Sequence, residues 1–243
     1  MSRIRASFFH FLISCLVGFI LFSLFWFVWY PAPMLIAIGG HEIFLLIIGI
    51  DVILGPALTL VIFKSGKKYL KYDLSAIVSM QIFAMLYGIS TLMEARPVYV
   101  AALGDKFQVI QATEVIDANL TKAKTRLPLW GPLWVGTKAP LDKLDVLMAE
   151  DMARVGAGRG HLPQLHIPYE DMSEIVVKHA QDISLLEARN PSQAKEIYLW
   201  LKKHDCDEIS AKYQPIKIGA TVFALVIDGR SAKIIGIMPF LLK

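Results

Sequence analysis

Cysteine is scarce in this 243-residue chain, with Cys15 and Cys206 the two present. Cys15 falls in an apolar run and Cys206 in a polar one, which excludes an intrachain disulfide framework. Asp205, Asp207 and Glu208 surround Cys206, and their charge disfavours the thiolate, predicting an inert thiol. Lys and Arg are missing between Tyr30 and Glu42, and no apolar run of bilayer length follows Pro97. Signatures of several chemistries are missing too. Gly156-Ala157-Gly158-Arg159-Gly160 lacks the preceding strand and the spacing of a dinucleotide loop, and no Lys-Ser or Lys-Thr completes a phosphate loop. His161 and His166 are five apart, off the four-residue spacing that stacks two ligands on a helix face, and no third ligand clusters with them. No nucleophile elbow is found. No metal, cofactor or catalytic residue is therefore expected.

Long apolar runs crowd the first 93 residues instead. Residues 8–29, 43–63 and 74–93 each reach the roughly 20 residues that cross a hydrocarbon core about 30 Å thick. None shows the polar face of a soluble core helix. A cleaved signal peptide is the competing reading of the first run. Its apolar region runs 7–15 residues, whereas this one passes Trp26 and Trp29 before the Pro31-Ala32-Pro33 turn.

Arg3 and Arg5 precede the first run, and Lys64, Lys67, Lys68 and Lys71 lie between the second and third. Positive charge in short loops marks the cytoplasmic side, so the N-terminus is expected there and the C-terminal domain on the far side, the periplasm of a Gram-negative cell. Trp26, Trp29 and Tyr30, with Tyr69 and Tyr72, suit interfacial aromatic belts. Residues 1–96 hold seven Lys/Arg against four Asp/Glu, leaving 18 against 17 for the rest, so the net +4 reports topology rather than a nucleic-acid surface. The expected partners are membrane lipid and protein, with no nucleic acid.

Asp51 is the one ionisable residue in the second run, eight positions or roughly 12 Å inside its outer end. A buried aspartate there costs about 2.5–3.5 kcal/mol, so it faces the bundle or a polar partner. Proton relay and an interhelical lock are the two readings, and the lack of a second acid or base at similar depth favours the lock. Pro56 has no N–H and follows Gly55, which predicts a kink with the Val52 carbonyl unpaired. An antiparallel third span brings Gln81 to the depth of Gly55 and Tyr87 within a turn of Asp51, placing Gln81 on the freed carbonyl and Tyr87 on the carboxylate. Ser14 with Gly18, and Ala84 with Gly88, put small residues four apart on a helix face, for internal packing or for a partner span.

Residues 97–243 suit one domain. Val98–Leu103 and Lys106–Ala112 read as strands around Gly104-Asp105, and residues 220–227 and 232–238 as a hairpin around Asp228-Gly229-Arg230-Ser231. Met172, Ile175, Val176, His179, Ile183 and Leu186 recur at steps of three and four, predicting one helix from Tyr169 to Arg189 with His179 packed in its stripe. Asn190-Pro191 opens another helix ending in Lys202 and Lys203, and Leu141–Arg154 is a third. The fold class is a membrane-anchored α+β protein: three transmembrane helices over residues 1–96, then one mixed α+β extracytoplasmic domain, its terminal strands meeting in one antiparallel sheet. Residues 126–140 hold Trp130 and Trp134 among Pro128, Gly131, Pro132, Gly136 and Pro140, either a binding edge or a cap on the core. The glycines of residues 155–162 read as a flexible surface connection.

Asp51-Val52-Ile53-Leu54-Gly55-Pro56-Ala57-Leu58-Thr59-Leu60 resembles the TfpX/TfpZ-type family of type IV pilin accessory proteins. So do Leu70-Lys71-Tyr72-Asp73-Leu74 and Ala95-Arg96-Pro97-Val98, together with Tyr30-Pro31 and Asp105-Lys106-Phe107. The likeness covers residues 1–112. It implies a multi-pass inner-membrane protein, without enzymatic activity, that supports stability, assembly or surface display of a companion pilin, with other pilus assembly proteins as further partners. The chain shows no prepilin-type leader, so it looks like a helper rather than a fibre subunit. A membrane sensor and a pilin-modifying membrane enzyme are the alternatives.

Overall fold

The computed structural model describes residues 2–154 and 156–242; Val155, where the glycine-rich connection was expected to begin, lies outside them, as does Lys243. Two compact units are resolved: residues up to Pro31 with Gly39–Arg96, and Ala32–Ile38 with the residues from Pro97 onward. The expected anchor ran unbroken to residue 96. Instead the short segment after the first helix belongs with the C-terminal unit.

Among the described residues the first unit holds three helices long and apolar enough to cross a membrane: α1 (Arg3–Trp29), α2 (Gly40–Ile62) and α3 (Leu70–Glu94). In their most apolar windows 17%, 28% and 22% of residues are buried, so most of the apolar surface faces outward. Water is a poor solvent for such a surface and hydrocarbon a good one. Both α1 and α2 contain a π-helical stretch, Phe25–Trp29 and Gly49–Leu54. The helices close on each other through small residues. A Cβ on Gly18 would stand 2.7 Å from the Ile48 side chain, and one on Gly88 would collide with Ile47. Phe25 meets Phe44 edge-on at 5.8 Å.

Among the described residues the second unit is built on an eight-stranded mixed sheet. Its elements are β1 (Pro97–Ala102), β2 (Phe107–Gln111), α4 (Asp117–Ala123), β3 (Leu133–Thr137), α5 (Lys143–Arg154), β4 (His166–Pro168), α6 (Ser173–His179), β5 (Gln181–Asp182), α7 (Ile183–Arg189), α8 (Ala194–Lys203), β6 (Ala211–Ile218), β7 (Thr221–Asp228) and β8 (Ile234–Leu241). The strand order is β4-β3-β1-β2-β6-β7-β8, with β5 beside β6. Both expected hairpins form, but they join through a parallel β2–β6 contact rather than an antiparallel one.

Both sheet faces are covered, which explains why β1 and β7 read as continuous apolar runs rather than alternating ones. One face carries Val100, Phe107, Val109, Ile216, Phe223, Leu225 and Ile227, closed by Val176 and by Met34 from the short segment. The other packs Tyr213, Ala224 and Val226 under Ile183, Leu186, Ile197 and Leu201, and Tyr99, Ala101 and Ile110 beside Leu120 and Leu127.

Two expectations fail here. The helix predicted over Tyr169–Arg189 is broken at Ala180, which is extended, because Gln181 and Asp182 pair with Tyr213 and Lys212 and the Tyr213 hydroxyl donates to Gln181 Oε1 at 2.7 Å. His179 and Ile175 consequently face solvent instead of joining the stripe. The described part of the glycine-rich connection is not loose. Arg159 donates to Thr137 Oγ1 at 2.9 Å and to the Leu103 carbonyl at 2.5 Å, and Gly160 lies so close to Ala101 that a Cβ would stand 2.8 Å away.

Candidate functional site

The deepest polar cluster of the first unit lies where α2 leaves regular α-helical register. In the π-helical stretch Gly49–Leu54 the N–H of Gly55 donates to the Ile50 carbonyl, five residues back. The next donor in that register would be Pro56, which has no N–H, so the orphaned carbonyl is that of Asp51. Gln81 of α3 donates to it from Nε2 at 3.2 Å, and to Asp51 Oδ1 at 3.3 Å. This corrects the expected acceptor, Val52, because the register slips by one residue. Gly55 permits the approach, since a Cβ there would collide with the Gln81 amide.

Tyr87 does not take part. It is 76% exposed, because six residues beyond Gln81 is well over a quarter turn off the face that Ile77, Gln81, Gly88 and Leu92 bury. Its carbonyl accepts the hydroxyls of Ser90 and Thr91.

Polar groups of α1 complete the cluster. Ser7 donates to the Pro56 carbonyl at 2.8 Å, and His10 Nδ1 lies 2.7 Å from Thr59 Oγ1. His10 and Ser14 line one groove with Asp51, Thr59 and Gln81, about 490 Å³ in volume and otherwise walled by apolar side chains such as Ile13, Val17, Val78 and Ile82. Sequence reading missed His10, which sits one residue ahead of the stretch free of ionisable groups. A signal was present: Ser7, His10, Ser14 and Gly18 recur at steps of three and four. Of the small residues, Gly18 and Gly88 are taken up by contacts within the bundle, Ala84 is half-buried, and Ser14 faces the groove.

At the end of α3, Arg96 is buried and donates to the Met93 carbonyl at 2.5 Å, while the Tyr30 hydroxyl donates to the Leu92 carbonyl at 2.6 Å. Pro97 then opens β1. The tryptophans separate in role. Trp134 meets Phe107 edge-on at 6.1 Å in the core, and Trp130 is 72% exposed.

Several polar groups of the second unit are engaged in structural contacts. Gln214 is fully buried and donates to the carbonyls of Gly104 and Val176 at 2.9 and 2.8 Å. Asp145 is held below the usual carboxylate range by Lys122 and Gln164. Burial pushes Glu114 up, but hydrogen bonds from His161 and the Gln111 N–H outweigh it and leave the carboxyl low. Burial lowers His166, which bonds the Gly160 carbonyl at 2.7 Å. Cys206 is raised by burial and by Asp205 and Asp228. Among the described residues no three His, Cys, Asp or Glu side chains converge as a metal site would require.

Fold and site together define a protein with three membrane-length helices and a helix-covered mixed sheet, whose deepest polar groups bind helix to helix. It is 27% identical over 232 residues, 93% of this chain and 90% of the relative, to the fimbrial assembly protein of serogroup I from Dichelobacter nodosus. It is 26% identical over 231 residues, 93% and 90% of the two chains, to the serogroup E1 protein of that organism. Against the protein of serogroups C1 and C2 the identity is 35% over 116 residues, 47% of this chain and 88% of the relative. The chain belongs to this family of fimbrial assembly proteins. No family model matches it, and no solved structure does.

Proposed function

We propose that this protein is a non-catalytic accessory factor for type IV pili, of the TfpX/TfpZ type, that supports the stability, assembly or surface display of a companion pilin. The observation that carries the reading is the likeness to fimbrial assembly proteins along 93% of the chain. In this reading the protein resides in the bacterial inner membrane with its N-terminus in the cytoplasm and its C-terminal domain in the periplasm, which the three membrane-length helices and the lysines and arginines of the short loops support. The helical bundle docks the apolar helix of membrane-stored pilin, and the mixed-sheet domain contacts the pilin head.

Deleting the protein should lower pilin amount or fibre number with pilin transcription unchanged. Wild-type pilin abundance, fibre count and pilus dynamics in the deletion strain would exclude the role. A periplasmic reporter fused after the last residue should be active, and activity of a cytosolic reporter there would overturn the orientation.

A further inference from the structure

Asp51 stands eleven residues from either end of α2, and so at the middle of a membrane-length helix. It is 8% exposed and lines the groove between α1, α2 and α3. Oδ1 accepts from Gln81 at 3.3 Å, and among the described residues nothing donates to Oδ2. His10 lines the same groove, but its hydrogen bond is made to Thr59. A carboxylate oxygen without a donor is costly in hydrocarbon. We infer that the groove is the seat of a partner's transmembrane helix, one that presents a hydrogen-bond donor or a cationic group to Asp51 at the bilayer midplane.

Depth decides against lipid as the occupant. Eleven residues of helix span roughly 16 Å, so a headgroup at either surface does not reach the carboxylate, and an acyl chain has no donor to offer. A helix matches both halves of the wall. Its apolar side chains pack on Ile13, Val17, Val78 and Ile82, and one polar group meets Asp51. The inference rests on the pilin reading for the partner's identity, and it assigns that partner's helix to this groove rather than to another face of the bundle.

The test is photocrosslinking in intact cells that produce the full chain and its companion pilin. A crosslinking residue is placed at Ile13 or Ile82 in the groove, and at Phe19 or Phe83, which face outward with 68% and 71% exposure. Pilin adducts are expected from the groove positions and not from the outward ones. Asp51→Asn keeps an acceptor for Gln81 but turns a donor toward the occupant, and should cut the groove adduct about threefold or more. Should that variant fail to accumulate, Val17→Trp fills the groove without touching the Asp51–Gln81 pair and is expected to have the same effect.

Pilin adducts only from Phe19 and Phe83 would overturn the groove assignment and leave the pilin reading intact. Undiminished groove adducts in Asp51→Asn would overturn the donor pairing, and undiminished adducts in Val17→Trp would overturn the groove as the helix's seat. Lipid as the sole groove adduct would overturn the helix as occupant. Absence of pilin adducts at every position, together with normal pilin in a deletion strain, would remove the pilin reading itself.

Discussion

The Gln81 amide serves one backbone carbonyl and one carboxylate of α2, so its loss would leave two acceptors short in the bundle. Replacing Asp51 by Ala removes one of them and should lower the steady-state amount of the protein, read by immunoblot of membranes. Gly55→Ala drives a Cβ into that amide and should destabilise the bundle by about 1–3 kcal/mol, the usual cost of overpacking. An unchanged denaturation midpoint in detergent would contradict the close approach. In the sheet domain His166 sits against Tyr99, ring centroids 4.7 Å apart, and burial holds its pKa below the ordinary 6.5. Above that value the imidazole is neutral in folded and unfolded chains alike. Below it the unfolded chain binds the proton more readily, so stability falls as pH drops from about 6.5 through the lower folded value and then levels off. Urea titrations at pH 7.5 and 5.5 should show this loss, and His166→Gln, which keeps a donor for the Gly160 carbonyl, should flatten it.

Among the elements, the turn of the β7–β8 hairpin is organised by the Asp228 side chain. Asp228 Oδ1 accepts from the N–H groups of Arg230 and Ser231 at 3.1 and 2.7 Å and from the Ser231 hydroxyl at 2.7 Å. These bonds lower the pKa of its carboxyl, the Ser231 hydroxyl contributing most. Asp228→Ala should cost about 1–3 kcal/mol, seen as a lowered midpoint in thermal unfolding. The turn was legible because Asp-Gly-Arg-Ser between two apolar runs has a local mechanism. By contrast β6 was not anticipated, since Pro215 and two lysines interrupt it. Pro215 falls between the β5 contact at Lys212–Tyr213 and the β2 contact at Ile216–Lys217, where its missing N–H breaks neither short ladder. Likewise β3 hid in the Pro- and Gly-rich segment, where five residues suffice once β1 lies alongside.

For the whole molecule, the surprise is the short segment between α1 and α2. Met34 is 1% exposed and packs in the cluster with Val100, Ile216 and Phe223, although it is more than sixty residues from the nearest of them in sequence. Met34→Ala should therefore destabilise the sheet domain by about 2–5 kcal/mol, read by limited proteolysis of that domain while the bundle stays intact. A fragment starting at Pro97 should be less stable than one in which residues 32–38 are supplied. Equal protease resistance of Met34→Ala and the wild type would show that the segment contributes nothing to the core.

Sequence alone determined the three membrane-length helices, the two hairpins, the helix after Pro191 and the conflict of Asp51 with its apolar run. Each of these follows from length, periodicity or turn chemistry within about 25 residues. Tertiary structure alone decided what depends on contacts between distant segments. The slip that orphans the Asp51 carbonyl, the arrival of His10 and Ser14 at the same groove, the break at Ala180 and the burial of Met34 all needed a second element brought alongside. Local periodicity names the face of a helix that avoids solvent, but which partner fills that face is set by packing across the chain.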